Sequence, residues 1–440
     1  MNLLMANMDK EERNRIIQLV KQQVVPAVGC TEPVAVALCV AKATEVLQRR
    51  PEKIEVWLSA NILKNAMGVG IPGTGMIGLP IAIALGVLIG KSEYGLEVLK
   101  DVTPTAVSEG KKLIDEGIIR IELKKGNCPK LYIEVHETAG DDEVVTVISS
   151  MHTHFVQVSK NGETLFHETS DEEDGDDRSA DDNGLNLRKV YDFATTAPLE
   201  EIDFINDAAT LNCHASEEAL KGRYGHELGK TLSRPLGRGI MGESMFSHIL
   251  SATASACDAR MAGAQIPVMS NSGSGNQGIC ATVPVAIFGR ENHNTSEEIT
   301  RALMLSHLTA IYIKQSLGTL SALCGCVVAS TGSAVGITYL MGGSYEQICA
   351  SVKNMVANLT GIICDGAKPS CALKLASGVS TAVLSAMLSM QQHCVTSVEG
   401  IIDDDVDRSI HNLTHIGHDA MDETDRCVLD IMTSKEHKPQ

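Results

Sequence analysis

From Met8 to Val24 apolar residues recur at helical spacing among charged ones, which predicts an amphipathic helix. The next segment, Ala27–Leu47 (AVGCTEPVAVALCVAKATEVL), continues as helix, with Thr31 as N-cap and Pro33 early in the first turn. Lys53–Ser59 (KIEVWLS) is short and alternates, the signature of a strand. Between Lys64 and Lys91 no charge occurs over 26 positions, long enough to span a bilayer. Seven glycines and two prolines interrupt that stretch. Only Ile81–Ile89 has continuous apolar helical character, a buried-core length, so no membrane span is expected.

The period changes at Ile119. IRIELKKG, LYIEVHET, VVTVISSMHTHFVQVSKNG and ETLFHE are alternating, β-branched runs broken by turn residues such as Asn161-Gly162. They predict an antiparallel sheet of about four strands over Ile119–Glu168. After Asn183 the chain reads as helical almost to its end. Val190–Ala219, Glu243–Ala262, Ser296–Lys314 and Tyr345–Leu359 are amphipathic, whereas Leu317–Met341 and Ala372–Met390 are nearly uncharged and rich in Gly, Ala and Ser. Helices apolar all round belong at the centre of a core, and small residues let their backbones approach closely. The expected class is α+β: a mostly helical domain with buried central helices plus a smaller antiparallel sheet. The expected segments are 1–115, helical and packed on the main domain; 116–168, the sheet; 169–184, a linker; and 185–440, the helical domain carrying the chemistry. Nothing repeats at a fixed period, which argues against a solenoid.

Composition narrows the function. A chain of 440 residues fits two or three domains, and 44% hydrophobic residues rule out wholesale disorder. The 55 acidic and 37 basic side chains give a net charge of −18, but Glu168–Asp182 alone contributes −8 (nine acids, one Arg), so much of the acidity is one solvated run. Only 14 residues are aromatic, which with the acidity argues against nucleic-acid binding. Thirteen cysteines, an odd number, stand in a chain whose Met1–Val20 segment lacks the apolar core of a signal peptide. The expectation is a reducing cytoplasm, with thiols buried, reactive or metal-bound.

Six cysteines have loop-like surroundings: Cys30 in VGCTEP, Cys280 after SNSGSGNQGI, Cys324 and Cys326 in CGC, and Cys364 and Cys371 in CDGAKPSC. Thiolates are the usual ligands of iron–sulfur clusters and zinc, and helix breaks inside an apolar domain call for a reason. From the residues alone, a metal site and buried structural thiols both stay open. The loop Met269–Gly278 (MSNSGSGNQG) offers a backbone nest for an anion, with a helix expected to follow it. It has no GK[ST] of a Walker loop and no surrounding βαβ unit, so a substrate carboxylate suits it better than a nucleotide; a plain helix–helix turn is the alternative. A second glycine-rich loop, Gly68–Gly78, is able to approach the same ligand.

Taken together, VGCTEPVAVALCVAKA, SANILKNAMGVGIPGTG, NSGSGNQGI, LSALCGC and GIICDGAKPSCALK resemble the L-cysteine desulfidase group, related to the alpha chain of iron–sulfur L-serine dehydratases, over about residues 20–400. The resemblance implies a 4Fe-4S cluster held by Cys324, Cys364 and Cys371, with one iron open to substrate. Cys326 is an alternative to Cys324, and Cys30 to Cys371. It implies β-elimination of L-cysteine to pyruvate, ammonia and sulfide, or the corresponding reaction of L-serine. The substrate carboxylate would sit in the cradle of Asn271, Ser272, Gly273, Ser274, Gly275, Asn276 and Gln277. Cys30, with a thiolate favoured by a helix start, and Lys374 or Lys368 are the candidate bases. Glu32 and Asn65 would orient the substrate, whereas His152 and His154 are expected on the sheet surface. The rival classes are a pyridoxal-phosphate lyase and a non-catalytic metal-binding protein. The apolar helical faces suggest a homodimer.

Overall fold

A computed structural model describes residues 8–126, 128–168, 184–318 and 321–435. Nearly all of the acidic linker expected at 169–184 lies outside the described residues. The rest of the α+β reading holds. Six strands form one sheet in the order Ile119–Leu123, Lys53–Leu58, Tyr132–Ala139, Asp142–Ser149, Phe155–Lys160 and Glu163–His167. Every neighbouring pair is antiparallel except the first, where Lys53–Leu58 runs parallel to Ile119–Leu123. The sheet exceeds the expected four strands for two reasons. The alternating Lys53–Leu58 run inserts into it, and the long VVTVISSMHTHFVQVSKNG run folds back on itself at Ser150–His154.

Ile54, Val56, Leu58, Ile133 and Val135 share a core with the helix Thr31–Leu47, which packs on one face of the sheet, with Leu79–Ile89, which packs on that helix, and with Pro104–Asp115, which packs on Leu79–Ile89. Ile81, Ala82, Ile83, Ala84 and Leu85, from the long uncharged stretch, are fully buried in that core. Among the described residues one helix, Cys371–Met390, has the length and apolar composition to cross a membrane, and half of it is buried inside the fold.

A second core is helical. Gly325–Leu340 lies at its centre, packed by Ser296–Leu317, Gly275–Glu291, Tyr345–Leu359 and Cys371–Met390. Gly332 lets the central helix approach Ser296–Leu317 closely: a Cβ there would lie 2.3 Å from the Ser306 carbonyl oxygen. Ser330, Thr331 and Thr338 satisfy their hydroxyls by donating to carbonyls one turn back, so an all-buried helix tolerates them. Two expected helices are broken. Leu317–Met341 is interrupted at Gly318, which has φ 82°, and resumes after Cys324. Val190–Ala219 divides at Pro198, which has no N–H for the helical ladder.

Segment 1–115, expected as a helical segment packing on the main domain, contributes to both cores. Ile16, Ile17, Val20, Cys30 and Val69 join the helical one; Val34 through Leu113 join the sheet. The Lys53–Leu58 strand is what ties the latter part down, since its backbone hydrogen bonds run to strands on both sides.

Glu137 is fully buried on the covered face of strand Tyr132–Ala139, where Thr44 Oγ1 reaches both carboxyl oxygens at 3.0 Å. Burial, opposed only by that hydrogen bond, raises its pKa from 4.5 to about 8. Folding therefore favours the protonated form, and the contribution is full below pH 4.5 and lost as pH rises through 8. Glu137→Gln is expected to stabilise the protein at pH 7 by on the order of 2–3 kcal/mol and to flatten the decline in stability between pH 5 and 8. Denaturant unfolding across that pH range checks this; an unchanged slope refutes it.

Candidate functional site

Two helix interruptions pair with one another inside the helical core. Leu323 bridges Ile363 in antiparallel register. The Cys324 N–H donates to the Ile362 carbonyl at 2.9 Å and the Cys364 N–H to the Ala322 carbonyl at 2.6 Å. In that register Cys324 and Cys364 are diagonal neighbours on one face of the short ladder. Cys324 also caps the Gly325–Leu340 helix, and Cys371 is the first residue of Cys371–Met390, its thiol 3.7 Å from the Gly366 carbonyl. The three thiols are electrostatic neighbours: Cys364 feels Cys324, and Cys371 feels both.

Further thiols surround them. Cys326 is hydrogen-bonded to Cys280 and Cys324, and its Sγ donates to the Lys374 carbonyl at 2.9 Å. Cys280, expected at a loop, is fully buried in the helix Gly275–Glu291, which begins five residues earlier behind its Ser274 cap. Cys257, from the helix Met245–Met261, lies close enough to Cys371 and Cys326 to feel their charge. Burial pushes the Cys364 thiol up and Cys371 to about 11, with the neighbouring sulfurs adding to each shift. For Cys324 the largest cause is its bond with Cys326, followed by burial. Among the described residues no three His, Cys, Asp or Glu side chains form a ready ligand set for a single metal ion. The corners of a four-iron cluster stand farther apart than the ligands of one ion, and the donor chemistry fits it. Crowded thiols resist ionising beside one another, a penalty that a cationic cluster relieves.

Charged groups ring the thiols. Lys64, 2% exposed, forms an ion pair with Asp425, and its charge acts on Cys364. Gly366 packs against the Lys64 backbone, where a Cβ would meet the carbonyl oxygen at 2.2 Å. Asp365 is paired with both Lys368 and Lys374. Burial works against its carboxylate, yet the two lysines hold its pKa at about 2. Burial likewise works against the Lys374 ammonium, but its bond to Asp365 and the nearby Cys324 and Cys364 raise its pKa. Lys374 and Lys368, the lysines expected as candidate bases, thus share one carboxylate, that of Asp365.

A second polar cluster centres on Glu32. Cys30, not Thr31, is the N-cap of Thr31–Leu47. Its Sγ donates to Glu32 Oε2 at 2.9 Å, which also accepts from Thr31 Oγ1 at 3.1 Å, while Glu32 Oε1 accepts from Asn65 Nδ2 at 3.1 Å. Burial first, then the Glu32 carboxylate, pushes the Cys30 thiol well above its ordinary range, so the expected helix-start thiolate is not favoured. Burial works against the Glu32 carboxylate, but the Cys30 bond and Arg260 favour it, and a proton on His152 would favour it further, so its pKa lies below the usual value. His152 corrects another expectation. It leaves the sheet surface, and its Nε2 is buried without a partner close to Glu32. His154 does lie at the margin of the sheet, bonded to Glu168 at 2.9 Å.

The glycine-rich loop closes over this cluster. Asn271 and Ser274 exchange backbone hydrogen bonds around Ser272 (φ 48°) and Gly273 (φ 77°), a tight turn with two left-handed residues. The Gly273 carbonyl accepts from Thr31 Oγ1 at 3.2 Å, joining the loop to the Glu32 cluster. Asn271 does not face a ligand: its amide is fully buried and bonded to the ring and carbonyl of His307. Ser272 Oγ donates to Asn271 Oδ1, and Ser274 caps the helix through the Gln277 N–H. Gly275 accommodates Arg260, whose Nε would lie 2.2 Å from a Cβ there. Arg260, 3% exposed, donates to Asn276 Oδ1 at 3.1 Å and to the Gly29 carbonyl at 2.9 Å. Gln277 packs on Gly325, next to Cys324, and so links the two clusters. In the second glycine loop, Gly70 packs against the backbone of Ala262 and Gly263, and Gly68 against Ala367 and Lys368.

Seven buried side-chain polar atoms lack a partner among the described residues, and Asn65 Oδ1, Gln277 Oε1, Arg260 Nε and His152 Nε2 are four of them. Such a concentration marks a place prepared for something else to bind. A separate cavity of about 420 Å³, lined by Leu232, Arg238, Glu243, His248 and Arg290, shares no residue with it. Arg260 and Lys64 went unread in the sequence, and Cys257 reads there as a small hydrophobe on a helical pattern. The one signal for Arg260 was that it and Asp258 are the only Lys, Arg, Asp or Glu residues in an otherwise apolar helix.

Loop glycines differ in what they allow. A Cβ on Gly278 would lie 1.9 Å from the Met269 carbonyl oxygen, whereas one on Gly273 meets nothing within 4 Å. Gly278→Ala is expected to cost about 3 kcal/mol or more through overpacking against backbone. Gly273→Ala should cost about 1–2 kcal/mol from its left-handed φ alone. Equal losses in chemical denaturation would contradict this packing.

Residues 93–430 match the family model described as serine dehydratase alpha chain. The chain is 66% identical over 430 residues to a UPF0597 protein of Bacteroides fragilis, covering 97% of this chain and all of the relative. It is 65% identical over 430 residues to one of Bacteroides thetaiotaomicron, covering 97% and 99%. A UPF0597 protein of Photobacterium profundum is 47% identical over 423 residues, covering 96% and 99%. The thiols at Cys324, Cys364 and Cys371 and the glycine-rich helix start all lie inside the matched span, and the chain belongs to the serine dehydratase alpha chain family.

Proposed function

We propose that this chain is an iron–sulfur-dependent amino-acid lyase that converts L-cysteine to pyruvate, ammonia and sulfide. The observation that carries the reading is the meeting of Cys324, from one helix break, with Cys364 and Cys371, from another, beside a glycine-rich helix start. Those three thiols would hold a 4Fe-4S cluster, which when bound supplies a Lewis acid at the β-substituent. The first-turn N–H groups of Gly275 and Asn276 have no intrahelical acceptor and receive the substrate carboxylate, with Arg260 as the buried positive charge behind them. Ser272, Gly273 and Ser274 form the lip of that cradle. Asn65 Oδ1 and Gln277 Oε1, both buried acceptors without partners, suit the α-ammonium group. Lys64, Lys368 and Lys374 offset the negative charge that accumulates on ionised thiols.

Loss of the α-proton and departure of the β-substituent leave aminoacrylate, which hydrolyses to pyruvate and ammonia. L-Serine is the second reading, since the family model carries the serine dehydratase description and the same geometry serves a hydroxyl. Sulfur against oxygen then depends on contacts around the β-substituent. A pyridoxal-phosphate lyase is less well supported, because Lys64, Lys368 and Lys374 are each held in ion pairs with acids. All thirteen cysteines are free thiols, which suits a reducing cytoplasm.

Protein purified without oxygen and supplied with iron and sulfide is expected to show cluster absorbance and to release sulfide and pyruvate from L-cysteine faster than pyruvate from L-serine. Cys364→Ala should abolish both absorbance and turnover. Intact absorbance in that variant, or wild-type protein that takes up no iron, would sink the cluster reading; a faster serine reaction would reverse the substrate order.

A further inference from the structure

We propose that His152, contributed by the sheet lobe, is the base that removes the α-proton of the substrate. The assignment rests on the elimination proposed above. A base in this site needs an unengaged lone pair, and the other candidates have none. Cys30 keeps its proton and gives it to Glu32. Lys368 and Lys374 are tied to Asp365. Glu32 already accepts from Cys30, Thr31 and Asn65. Among the described residues His152 Nε2 is the one histidine nitrogen that is buried without a partner.

The backbone aims it there. His152 sits on the turn between strands Asp142–Ser149 and Phe155–Lys160, held by Met151 N–H to the Ser149 carbonyl at 2.8 Å and His154 N–H to the Met151 carbonyl at 3.1 Å. Ser150 takes φ 67° and its N–H donates to the Leu131 carbonyl at 3.1 Å. A left-handed non-glycine residue beside a buried imidazole is the kind of local strain that functional turns retain. The turn thereby holds one side chain of the sheet lobe with its Nε2 buried and within electrostatic range of Glu32, which starts a helix packed on the same sheet.

The electrostatic surroundings agree. Burial keeps the ring neutral, with Glu32 as the charged group opposing that effect. Cys30 and Arg260 act on Glu32 in turn, and on the turn itself His154 is tied to Glu168. With its own proton on Nδ1, the neutral ring presents the Nε2 lone pair. The Cα–H electron pair forms the Cα=Cβ bond, the Cβ–S pair departs with sulfur, and the proton rests on His152. The imidazolium then faces the Glu32 carboxylate, which stabilises it as the carboxylate partner of a catalytic histidine does.

The test uses full-length protein reconstituted without oxygen. His152→Asn is expected to lower kcat for sulfide and pyruvate release by ~10²–10⁴-fold, with KM changed only a few-fold and iron content and cluster absorbance retained. The wild type should show an acid limb in kcat/KM below the ordinary histidine value of 6.5, and that limb should vanish in the variant. Exchange of solvent deuterium into Cα should vanish with it, and added imidazole should restore part of the turnover of His152→Ala. His154→Asn serves as the neighbouring control and should retain the wild-type rate. His152→Gln supplies a second variant if Asn fails to fold. Wild-type kcat or a persisting acid limb in a folded, cluster-bearing variant overturns the assignment alone. Wild-type protein without cluster or turnover brings down the functional reading and this assignment with it.

Discussion

The short ladder between residues 322–324 and 362–364 governs the rest of the helical lobe. Breaking two helices at the edge of an apolar core leaves backbone N–H and C=O groups in need of new partners. Here the breaks satisfy one another, through Cys324 to Ile362 and Cys364 to Ala322. The same pairing sets the directions of the helices that follow, because Cys324 caps Gly325–Leu340 and Cys371 opens Cys371–Met390 seven residues after Cys364. Glycines then allow the close approach this geometry needs: Gly378 lies against the Cys326 sulfur and Gly325 against the Gln277 amide. The two breaks that provide the three thiols thus also provide the turn chemistry that brings them together.

Around the ladder, charge is held in small compensated groups. Lys64 meets Asp425 across most of the chain's length, the half-exposed Asp365 takes two lysines, and Arg260 stands near Glu32. Unpaired, the buried Lys64 and Arg260 charges would each cost several kcal/mol, and compensation offsets much of that cost without adding net stability. The pattern is therefore better understood as preparation of an electrostatic setting than as reinforcement of the fold. The four unpartnered polar atoms nearby point the same way, since nothing in the fold itself requires them.

The fold was largely legible because its signals are local. Tyr345–Leu359 follows its amphipathic period to the residue, and the alternating runs became strands. The strand count fell short because pairing is not local: Lys53–Leu58 joins strands that lie some 65 residues or more downstream. At the site, Cys324, Cys364 and Cys371 were visible as cysteines at helix breakers. Arg260, Lys64 and His152 were not, because each looks like an ordinary polar residue until burial removes its water. Asn271 misled for the converse reason: it sits in a loop of ligand-binding composition, yet its amide serves His307.

Residue order alone determined the period of each element, the positions of its breaks, and a thiol inventory that points to soft-metal chemistry, since these depend on neighbours within a turn or a strand. Only the tertiary structure decided which breaks pair, which side chains lose their solvent, and hence which acids and bases keep their protons. The physical reason is that desolvation and charge–charge interactions depend on distance in space. His152 and Arg260 come close enough to act on Glu32 only when the sheet lobe and the helical core share the segment that runs between them.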